Sequence, residues 1–515
     1  MFKEEKKEEK KEEKKDSTKK DEKKEEEVKP IIIDTDKIME RMESVGPSFG
    51  RQGLLTVLQK GEKTYVLLFS NHDEGKASLY KVTYEPFESA KTEKVSGAES
   101  ANIKFAMGGD KYFLLVNGNI SKLNLDGNKA ETINMSLKFR RNLSAEFNQV
   151  FYEAWAQMEE NYYDEKFHGL DWKKTRDYYK QFIPFINTRA DLRVMLNDML
   201  GELNSSHQGF STFGEEESVD LSSRTMETGI LFQNEDPYKV ARVISRSAVD
   251  NKDLAVQPGD VLVKVDDVEL QSSTNRNYYF TKPSLDRELK LTFNRAGEMI
   301  DVKVHPQSSL QANFYDEWID ANQKKVDEKG KGKIAYVYMK NMGQSELQQF
   351  IVDMTRELNG KEALIFDIRY NTGGNVHDKV LNFLSQRSYL QWKYREGKKT
   401  NQPNFAPSDV PIILLTNEQS LSDAEMTSAG FKALKLGTII GNETYRWIIF
   451  TSGVGMVDGS FIRMPAWGCY TKDGKDLEMT GVQPDILVIN SFDDKLNGRD
   501  PQLDRAIEEI LKKIN

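Results

Sequence analysis

Ser422 is the residue of this 515-residue chain best placed to act as a nucleophile. It follows a strand-like run, PIILLTN (411–417), and opens a helix with the residues Ser422-Asp423-Ala424-Glu425. The amides in the first turn of a helix have no backbone partner, so they stabilise negative charge that develops beside them. The same four residues also fit the capping box S-x-x-E, in which the serine only closes the helix. Local sequence alone leaves both interpretations open.

A serine nucleophile needs a base, and a base needs a group that orients it. The chain offers five histidines, which are His72, His168, His207, His305 and His377. Of these, His207 ends the run ELNSSH, directly after a predicted helix at about 189–203 whose leucines and methionine share one face. Glu478 supplies a carboxylate that would fix the tautomer of an imidazole. Taken singly, a histidine after a helix is more often structural than catalytic, and a glutamate in a polar loop is usually exposed to solvent.

A pair of glycines could complete such a site by stabilising an oxyanion. They end the run DIRYNTGG, from Asp367 to Gly374, just after a strand-like segment. Glycines allow a tight turn that aims backbone N–H groups outward, as an oxyanion hole requires. Either Gly373 or Gly374 would be one donor, and the N–H of Asp423 would be the other. A plain turn between a strand and a helix remains the alternative.

Hydrophobic periodicity divides the chain into five segments. Runs of β-type residues at 64–70, 77–84, 111–116 and 120–125 are separated by turn signals and recur at about 45 residues. That spacing is close to the period of a propeller blade, although only two blades' worth is present. A helical pattern follows, with Ser144 as a predicted cap. The last 200 residues alternate helices with strands predicted at 334–339, 363–370, 411–417 and 438–442. The predicted segments are a charged disordered tail (1–30), a propeller remnant (31–143), a helical segment carrying His207 (144–222), a small β domain (225–308) and an α/β domain (309–515).

The small β domain resembles a PDZ domain. The residues Gly229, Ile230, Leu231 and Phe232 stand where that family's carboxylate-binding loop enters its first groove strand, and GDVLVKVDDVEL (259–270) is similar to its Gly-Asp strand. The resemblance implies that an extended peptide adds a strand at these four residues. A small β domain without a ligand is the alternative.

Composition narrows the classes of partner. Hydrophobic residues make up 38% of the chain and charged residues 30%, and the formal net charge is −9 without a basic stripe, so nucleic acid is not an expected partner. No apolar run reaches the roughly 18 residues that a membrane span needs. The N-terminal residues lack the apolar core of a secretory signal, which makes a cytoplasmic location the expectation. The single cysteine, Cys469, excludes an internal disulfide, and we expect it to be a buried, non-nucleophilic residue.

Four motifs together resemble peptidase family S41, the tail-specific and tricorn peptidases. They are the run ELNSSH ending at His207, the full DxRxNxGG pattern from Asp367, SDAE from Ser422, and EMTGVQPD from Glu478. The resemblance implies a multidomain α+β protein with a catalytic α/β domain of the ClpP/crotonase type. It also implies that Ser422 is the nucleophile, that His207 is the base, and that Ser206 and Glu478 complete a relay.

Within this family the tail-specific branch uses a lysine base soon after the serine. The corresponding stretch here is GNETYRW, and Trp447 stands where that lysine would be. A lysine dyad is therefore excluded, and the resemblance is closer to the tricorn branch with His207 and Glu478. Relatives of that branch usually carry glycine after the Thr-aromatic pair, whereas this chain has Arg446 and Trp447, so substrate preference is not carried over.

The sequence thus predicts a serine peptidase that acts on peptides or unfolded polypeptide segments. The resemblance implies no metal and no organic cofactor, and it implies homo-oligomers. A rival interpretation is a non-catalytic scaffold that binds peptides through its PDZ-like and propeller-like parts, or an inactive fragment. The geometry of Ser422, His207 and Glu478 distinguishes the two interpretations.

Overall fold

The computed structural model describes residues 36, 42, 44–100, 102–135, 140–214, 217–218, 224–251, 256–282 and 288–514. The predicted charged tail at 1–30 lies outside the described residues. The chain divides into two compact units, Met1–Arg140 and Arg141–Asn515. No helix in the described ranges combines the length and the apolar character that crossing a bilayer requires.

The first unit contains two four-stranded antiparallel sheets in which each strand pairs with the next along the chain. The strands predicted at 64–70, 77–84, 111–116 and 120–125 are all present. Their alternating apolar residues form a shared core around Leu67, Leu79 and Leu114. The strands are β1 (Gln52–Lys60), β2 (Lys63–Ser70), β3 (Ser78–Tyr84), β4 (Lys91–Lys94), β5 (Ile103–Gly108), β6 (Lys111–Val116), β7 (Asn119–Asn124) and β8 (Lys129–Thr132). Their assignment to a propeller stays a prediction.

Three helices begin the second unit, namely α1 (Leu143–Asn161), α2 (Trp172–Lys180) and α3 (Arg189–Gly201). The helix predicted at 189–203 is therefore present. The predicted cap of α1 was wrong by two residues: Asn142 caps this helix, and its side chain accepts a hydrogen bond from the Ala145 N–H at 3.2 Å. The apolar faces of the helices pack on one another, and strand β9 (Gly209–Ser211) follows α3 after a short turn that contains His207.

The region predicted to be PDZ-like contains a four-stranded antiparallel sheet and two short strand pairs around a core of its own. Its classification as a PDZ domain stays a prediction. The elements are β10 (Arg224–Thr225), β11 (Ile230–Phe232), β12 (Val240–Val243), β13 (Val261–Val265), β14 (Val268–Glu269), α4 (Asn277–Phe280), β15 (Thr281–Lys282), β16 (Leu289–Arg295) and β17 (Glu298–Val304).

The remaining residues alternate helices with the strands of a five-stranded parallel sheet of order β18-β19-β22-β23-β26. Helices cover both faces, which explains the continuous apolar runs of these strands. The elements are α5 (Gln311–Lys329), β18 (Ile334–Tyr338), α6 (Gln344–Glu357), β19 (Ala363–Asp367), α7 (His377–Leu384), β20 (Leu390–Trp392), β21 (Thr400–Gln402), β22 (Ile412–Thr416), α8 (Asp423–Ala433), β23 (Thr438–Gly441), β24 (Phe450–Gly455), β25 (Phe461–Trp467), β26 (Ile486–Leu487), α9 (Phe492–Leu496) and α10 (Pro501–Ile514).

A second sheet ties the helical segment to this α/β region. Its order is β24-β25-β9, and Arg463 of β25 pairs with Gly209 of β9. The ring of His207, two residues before β9, lies against that of Trp447 in the loop after β23, so the end of the helical segment lies beside the carboxyl ends of the parallel strands. Ligands bind at that edge in open α/β sheets.

Candidate active site

Ser422 lies at a sharp turn between strand β22 and helix α8. Its backbone is left-handed, with φ of 56° and ψ of −116°, whereas ordinary helix caps lie in the β region. Ser422 and Glu425 also form the capping box that the sequence predicts, and the Ser422 N–H donates to the Glu425 carboxylate at 3.1 Å. A serine on a strained strand-to-helix turn is the arrangement of a nucleophile elbow. The nucleophile interpretation and the helix-cap interpretation of this motif therefore both apply to Ser422.

Glu425 does more than close the capping box. Its buried carboxylate also accepts hydrogen bonds from the Thr444 hydroxyl at 2.6 Å, the Arg446 N–H at 2.8 Å and the Trp447 N–H at 2.7 Å. Burial raises the pKa of Glu425, and these donors oppose the shift. One side chain thus fastens the loop that carries Trp447 to the turn that carries Ser422. From sequence, Glu425 was only a capping partner.

A buried chain of hydrogen bonds joins Glu478 to His207. The Ser206 N–H and hydroxyl donate to the two Glu478 carboxylate oxygens at 2.7 and 3.0 Å, and the Ile448 N–H donates to the same carboxylate at 3.0 Å. The Ser206 hydroxyl oxygen lies 3.1 Å from His207 Nδ1. Because that hydroxyl donates to the carboxylate, it accepts from Nδ1–H of the neutral imidazole. This tautomer leaves Nε2 unprotonated, as a general base requires.

The link between Glu478 and His207 therefore runs through Ser206. Glu478, Ser206 and His207 are each exposed by 6% or less. In this buried setting a hydrogen-bonded network is electrostatically stronger than in water.

His207 has a left-handed backbone with φ of 57°, and its ring lies against Trp447 with the ring centroids 5.1 Å apart. Burial, assisted by the positive charge of Arg463, lowers the pKa of His207 to about 4. The imidazole is consequently neutral at pH 7. In the described structure no hydrogen bond joins His207 to the Ser422 hydroxyl, and such catalytic contacts are often long in free enzymes.

The loop after β19 separates the two glycines that the sequence left undecided. The Gly373 N–H donates to the Asn371 side chain at 2.9 Å, while Gly374 N–H has no acceptor among the described residues. A Cβ on Gly373 would lie 2.6 Å from the Ser422 Cβ, and one on Gly374 would lie 2.1 Å from the Met342 carbonyl oxygen. Gly373 thus permits the close approach to Ser422, and Gly374 is the candidate donor.

The carboxylate of Asp423 ties the two candidate oxyanion donors together. It accepts from the Val376 and His377 N–H groups at 2.6 and 3.0 Å, and the other oxygen lies 2.5 Å from His377 Nδ1. The hydrogen bond to this carboxylate raises the pKa of His377. The start of α7, three residues after Gly374, is therefore fastened to the residue after the nucleophile. The sequence offered His377 only as one of five candidate bases, and its partner became visible in the tertiary structure.

Other predicted residues lie outside this cluster. Cys469 is buried and burial raises its pKa to about 11, so its thiol is protonated and a poor nucleophile. Of the four residues predicted to bind peptide, Gly229 precedes β11, whose residues Ile230, Leu231 and Phe232 pair with β12. Leu231 lines a cavity of about 1000 Å³ together with Trp318 and Tyr370. A peptide-binding role for these residues stays a prediction.

The low pKa of His207 predicts that activity is lost only at acidic pH. Because a general base must be neutral, kcat/KM should fall as the pH falls through about 4. An Arg463→Gln substitution removes the nearby positive charge, so it raises the pKa of His207 and moves this acidic limb to higher pH. Arg446→Gln is the matched control, since that exposed arginine pairs with Glu443. A pH–rate profile with an unmoved limb in Arg463→Gln would contradict the assignment.

A serine at a strained strand-to-helix turn, beside a buried carboxylate–serine–histidine chain on a parallel α/β sheet, defines the class of serine hydrolases. Models of known families match two regions of the chain. Residues 333–488 match the model of peptidase family S41, and residues 143–201 match that of the tricorn protease C1 domain. Over these matched residues the chain is similar to the tricorn-like serine peptidases of family S41.

Individual relatives agree with this assignment. A putative tricorn-like protease C-terminal subunit from Sulfurisphaera tokodaii is 30% identical over 408 residues, which cover 76% of this chain and 46% of the relative. The tricorn protease of Thermoplasma acidophilum is 25% identical over 394 residues, which cover 72% of this chain and 35% of the relative. A crystal structure of the tricorn protease superposes with a TM-score of 0.74 at 22% identity, covering 90% of this chain and 46% of that chain, and shows a shared fold. The chain thus spans less than half the length of these relatives.

Proposed function

We propose that this protein hydrolyses peptide bonds in peptides or unfolded polypeptide segments, with Ser422 as the nucleophile and His207 as the general base. The observation that carries the proposal is the buried chain Glu478–Ser206–His207, which leaves Nε2 of a neutral imidazole available at the edge of the sheet where Ser422 follows strand β22. The predicted homo-oligomer belongs to this proposal as well.

The reaction follows the logic of acyl transfer. Ser422 Oγ attacks the scissile carbonyl carbon while His207 Nε2 takes the hydroxyl proton, and a tetrahedral oxyanion forms. The imidazolium then gives that proton to the leaving amine, and an acyl-enzyme remains on Ser422. A water molecule, deprotonated by His207, attacks the ester carbonyl, and collapse of the second intermediate returns the proton to Ser422 and releases the acid.

The surrounding groups act on the charges that develop. Ser206 passes the Nδ1–H hydrogen bond on to Glu478, so the buried carboxylate stabilises the imidazolium without touching the ring. The amides of Gly374 and Asp423 stabilise the oxyanion, and the Asp423 carboxylate keeps the two segments in register. Removal of one oxyanion donor typically costs about 10²- to 10³-fold in kcat.

Covalent labelling with a fluorophosphonate probe tests the proposal directly. Such probes react with a serine that is activated by a base, so we expect the wild-type protein to be labelled. The Ser422→Ala variant has no nucleophile and the His207→Ala variant has no base, and both should lose the label. Absence of labelling in a wild-type protein with a cooperative thermal transition would contradict the proposed function.

The relay makes a separate prediction for Ser206. In a Ser206→Ala variant the Glu478 carboxylate loses its link to the imidazole, and Nδ1 loses its acceptor. We expect kcat to fall by about 10- to 100-fold, because the imidazolium loses stabilisation while nucleophile and base both remain, with little change in KM. Steady-state hydrolysis of a fluorogenic peptide measures both constants.

Ser205→Ala is the matched control for this prediction. Its hydroxyl donates to the Ser206 carbonyl oxygen at 3.4 Å, at the outer limit of a hydrogen bond, and its other partner is Tyr162, which is not part of the relay. That variant should retain wild-type kcat. Equal losses in the two variants would mean that the turn before His207 is merely sensitive to change, and the relay would be abandoned.

A further inference from the structure

Three exposed aromatic side chains lie around the proposed catalytic residues. Tyr445 is 46% exposed, Trp447 is 38% exposed and Phe450 is 40% exposed. The Tyr445 and Trp447 ring centroids are 5.4 Å apart. The Trp447 ring also lies against the His207 ring, with centroids 5.1 Å apart. A group of large apolar side chains in water beside a site usually marks a binding surface. We call these three residues the aromatic rim.

The rim contacts two separate parts of the proposed site. Trp447 borders His207, the proposed base. The Phe450 ring lies 6.3 Å from that of His377, whose Nδ1 contacts the carboxylate of Asp423, the residue after Ser422. The rim therefore touches the proposed base and the histidine that is bound to Asp423.

Backbone hydrogen bonds hold the rim residues in place without a substrate. The Tyr445 N–H donates to the Ser420 carbonyl at 3.0 Å, two residues before the nucleophile. The Trp447 N–H is held by the buried Glu425 carboxylate, and the Ile448 N–H by Glu478. A fixed wall loses little conformational entropy when it binds a ligand, so it discriminates between side chains efficiently.

The charged side chains near the rim already contact other polar groups. Arg446 pairs with Glu443 through two hydrogen bonds, and Arg463 donates to the Thr451 hydroxyl. His377 lies between the carboxylates of Asp423 and Asp378. The rim itself presents aromatic carbon surface, which favours apolar and aromatic side chains over charged ones.

Resting on the proposed function, we propose that the aromatic rim is a subsite for a large apolar or aromatic side chain next to the scissile bond of an extended peptide. Stacking on Tyr445 and contact with Phe450 would select such residues over alanine, lysine and aspartate. Trp447 serves both this subsite and the base. Trp447 stands where the related lysine enzymes carry their base. This chain therefore has an aromatic surface for substrate selection at that position, where those enzymes have an amine.

A peptide series with one varied central residue tests the subsite. Fluorogenic hexapeptides that carry phenylalanine, leucine, alanine, lysine or aspartate at that position are compared by kcat/KM. We expect phenylalanine and leucine to exceed alanine by at least about tenfold, as apolar pockets typically achieve. In Tyr445→Ala and Phe450→Ala that ratio should fall by a factor of about three or more.

Phe461→Ala provides the matched control, because Phe461 is a similarly exposed phenylalanine, 45% accessible, at the other end of the β24–β25 hairpin. Its ratio should stay at the wild-type value. Equal turnover of the phenylalanine and alanine peptides by the wild-type protein, or an unchanged ratio in both rim variants, would overturn the subsite.

A binding measurement separates this proposal from the proposed function. Fluorescence anisotropy of labelled phenylalanine and alanine peptides with the Ser422→Ala variant needs no turnover, so it reports the subsite alone. Tighter binding of the phenylalanine peptide that is lost in the Ser422→Ala, Tyr445→Ala double variant supports the rim. Equal binding overturns it, even where the wild-type protein is labelled by the fluorophosphonate and the peptidase assignment therefore survives.

Discussion

A Ser422→Ala variant should lose at least about 10⁴-fold in kcat while remaining folded, because removal of a serine nucleophile eliminates the covalent pathway. The remaining rate would come from the oxyanion donors and binding alone. The measurement is hydrolysis of a fluorogenic peptide under saturating conditions, with the thermal unfolding midpoint recorded in parallel.

The capping box complicates this result, since Ser422 also begins helix α8. Loss of a cap typically costs about 1 kcal/mol of unfolding free energy. Ser491 is the matched control, because it forms a capping box with Asp494 at the start of α9. Ser491→Ala should show a comparable loss of stability with full activity. If the two variants lose activity in the same proportion as stability, Ser422 is a cap and the nucleophile assignment fails.

A His207→Ala variant should lose kcat to a similar extent, about 10⁴-fold or more, because the two residues act as one unit. Without the imidazole, the Ser422 hydroxyl keeps its proton at neutral pH and attacks poorly. The double variant Ser422→Ala, His207→Ala should be no worse than either single variant. This strong non-additivity, measured as a kinetic double-mutant cycle, is the expected outcome.

His168→Ala is the control for His207. His168 also belongs to the helical segment, and its ring contacts the Tyr163 hydroxyl at 2.6 Å and lies 3.2 Å from the Leu203 carbonyl oxygen. Its loss perturbs the packing of the same helices but leaves the proposed base untouched, so activity should be retained. Additive losses from Ser422→Ala and His207→Ala would show that the two residues work independently, which a shared proton transfer does not allow.

Much of the α/β region was predictable because parallel strands covered on both faces are continuous apolar runs. The strands predicted at 334–339, 363–370, 411–417 and 438–442 correspond to β18, β19, β22 and β23 with shorter ends. The helices between them were predicted for the complementary reason, that each buries one apolar stripe. The error at the start of α1 has a local cause, since Asn142 and Ser144 are both good caps and only backbone geometry distinguishes them.

Part of the candidate site was likewise predictable from the sequence, and part of it was not. The types of residue and their order along the chain indicated a serine, a histidine and a carboxylate, together with two glycines after a strand. Sequence could not tell Gly373 from Gly374, because the difference is a single hydrogen bond from the Gly373 N–H to the Asn371 side chain. Nor could it assign Glu425 as the anchor of the Trp447 loop, since S-x-x-E explains that residue completely on local grounds.

By itself, then, the sequence determined the elements and the candidate chemistry, because both depend on periodicity and on motifs a few residues long. The tertiary structure alone decided how the groups are connected. Ser206 and Glu478 are 272 residues apart, and their contact exists only because strand β9 joins the β24–β25 hairpin. The pairing of Asp423 with His377 likewise needs α7 and α8 to begin side by side. Hydrogen bonds of this kind depend on angstrom distances between distant segments, and local sequence carries no record of those distances.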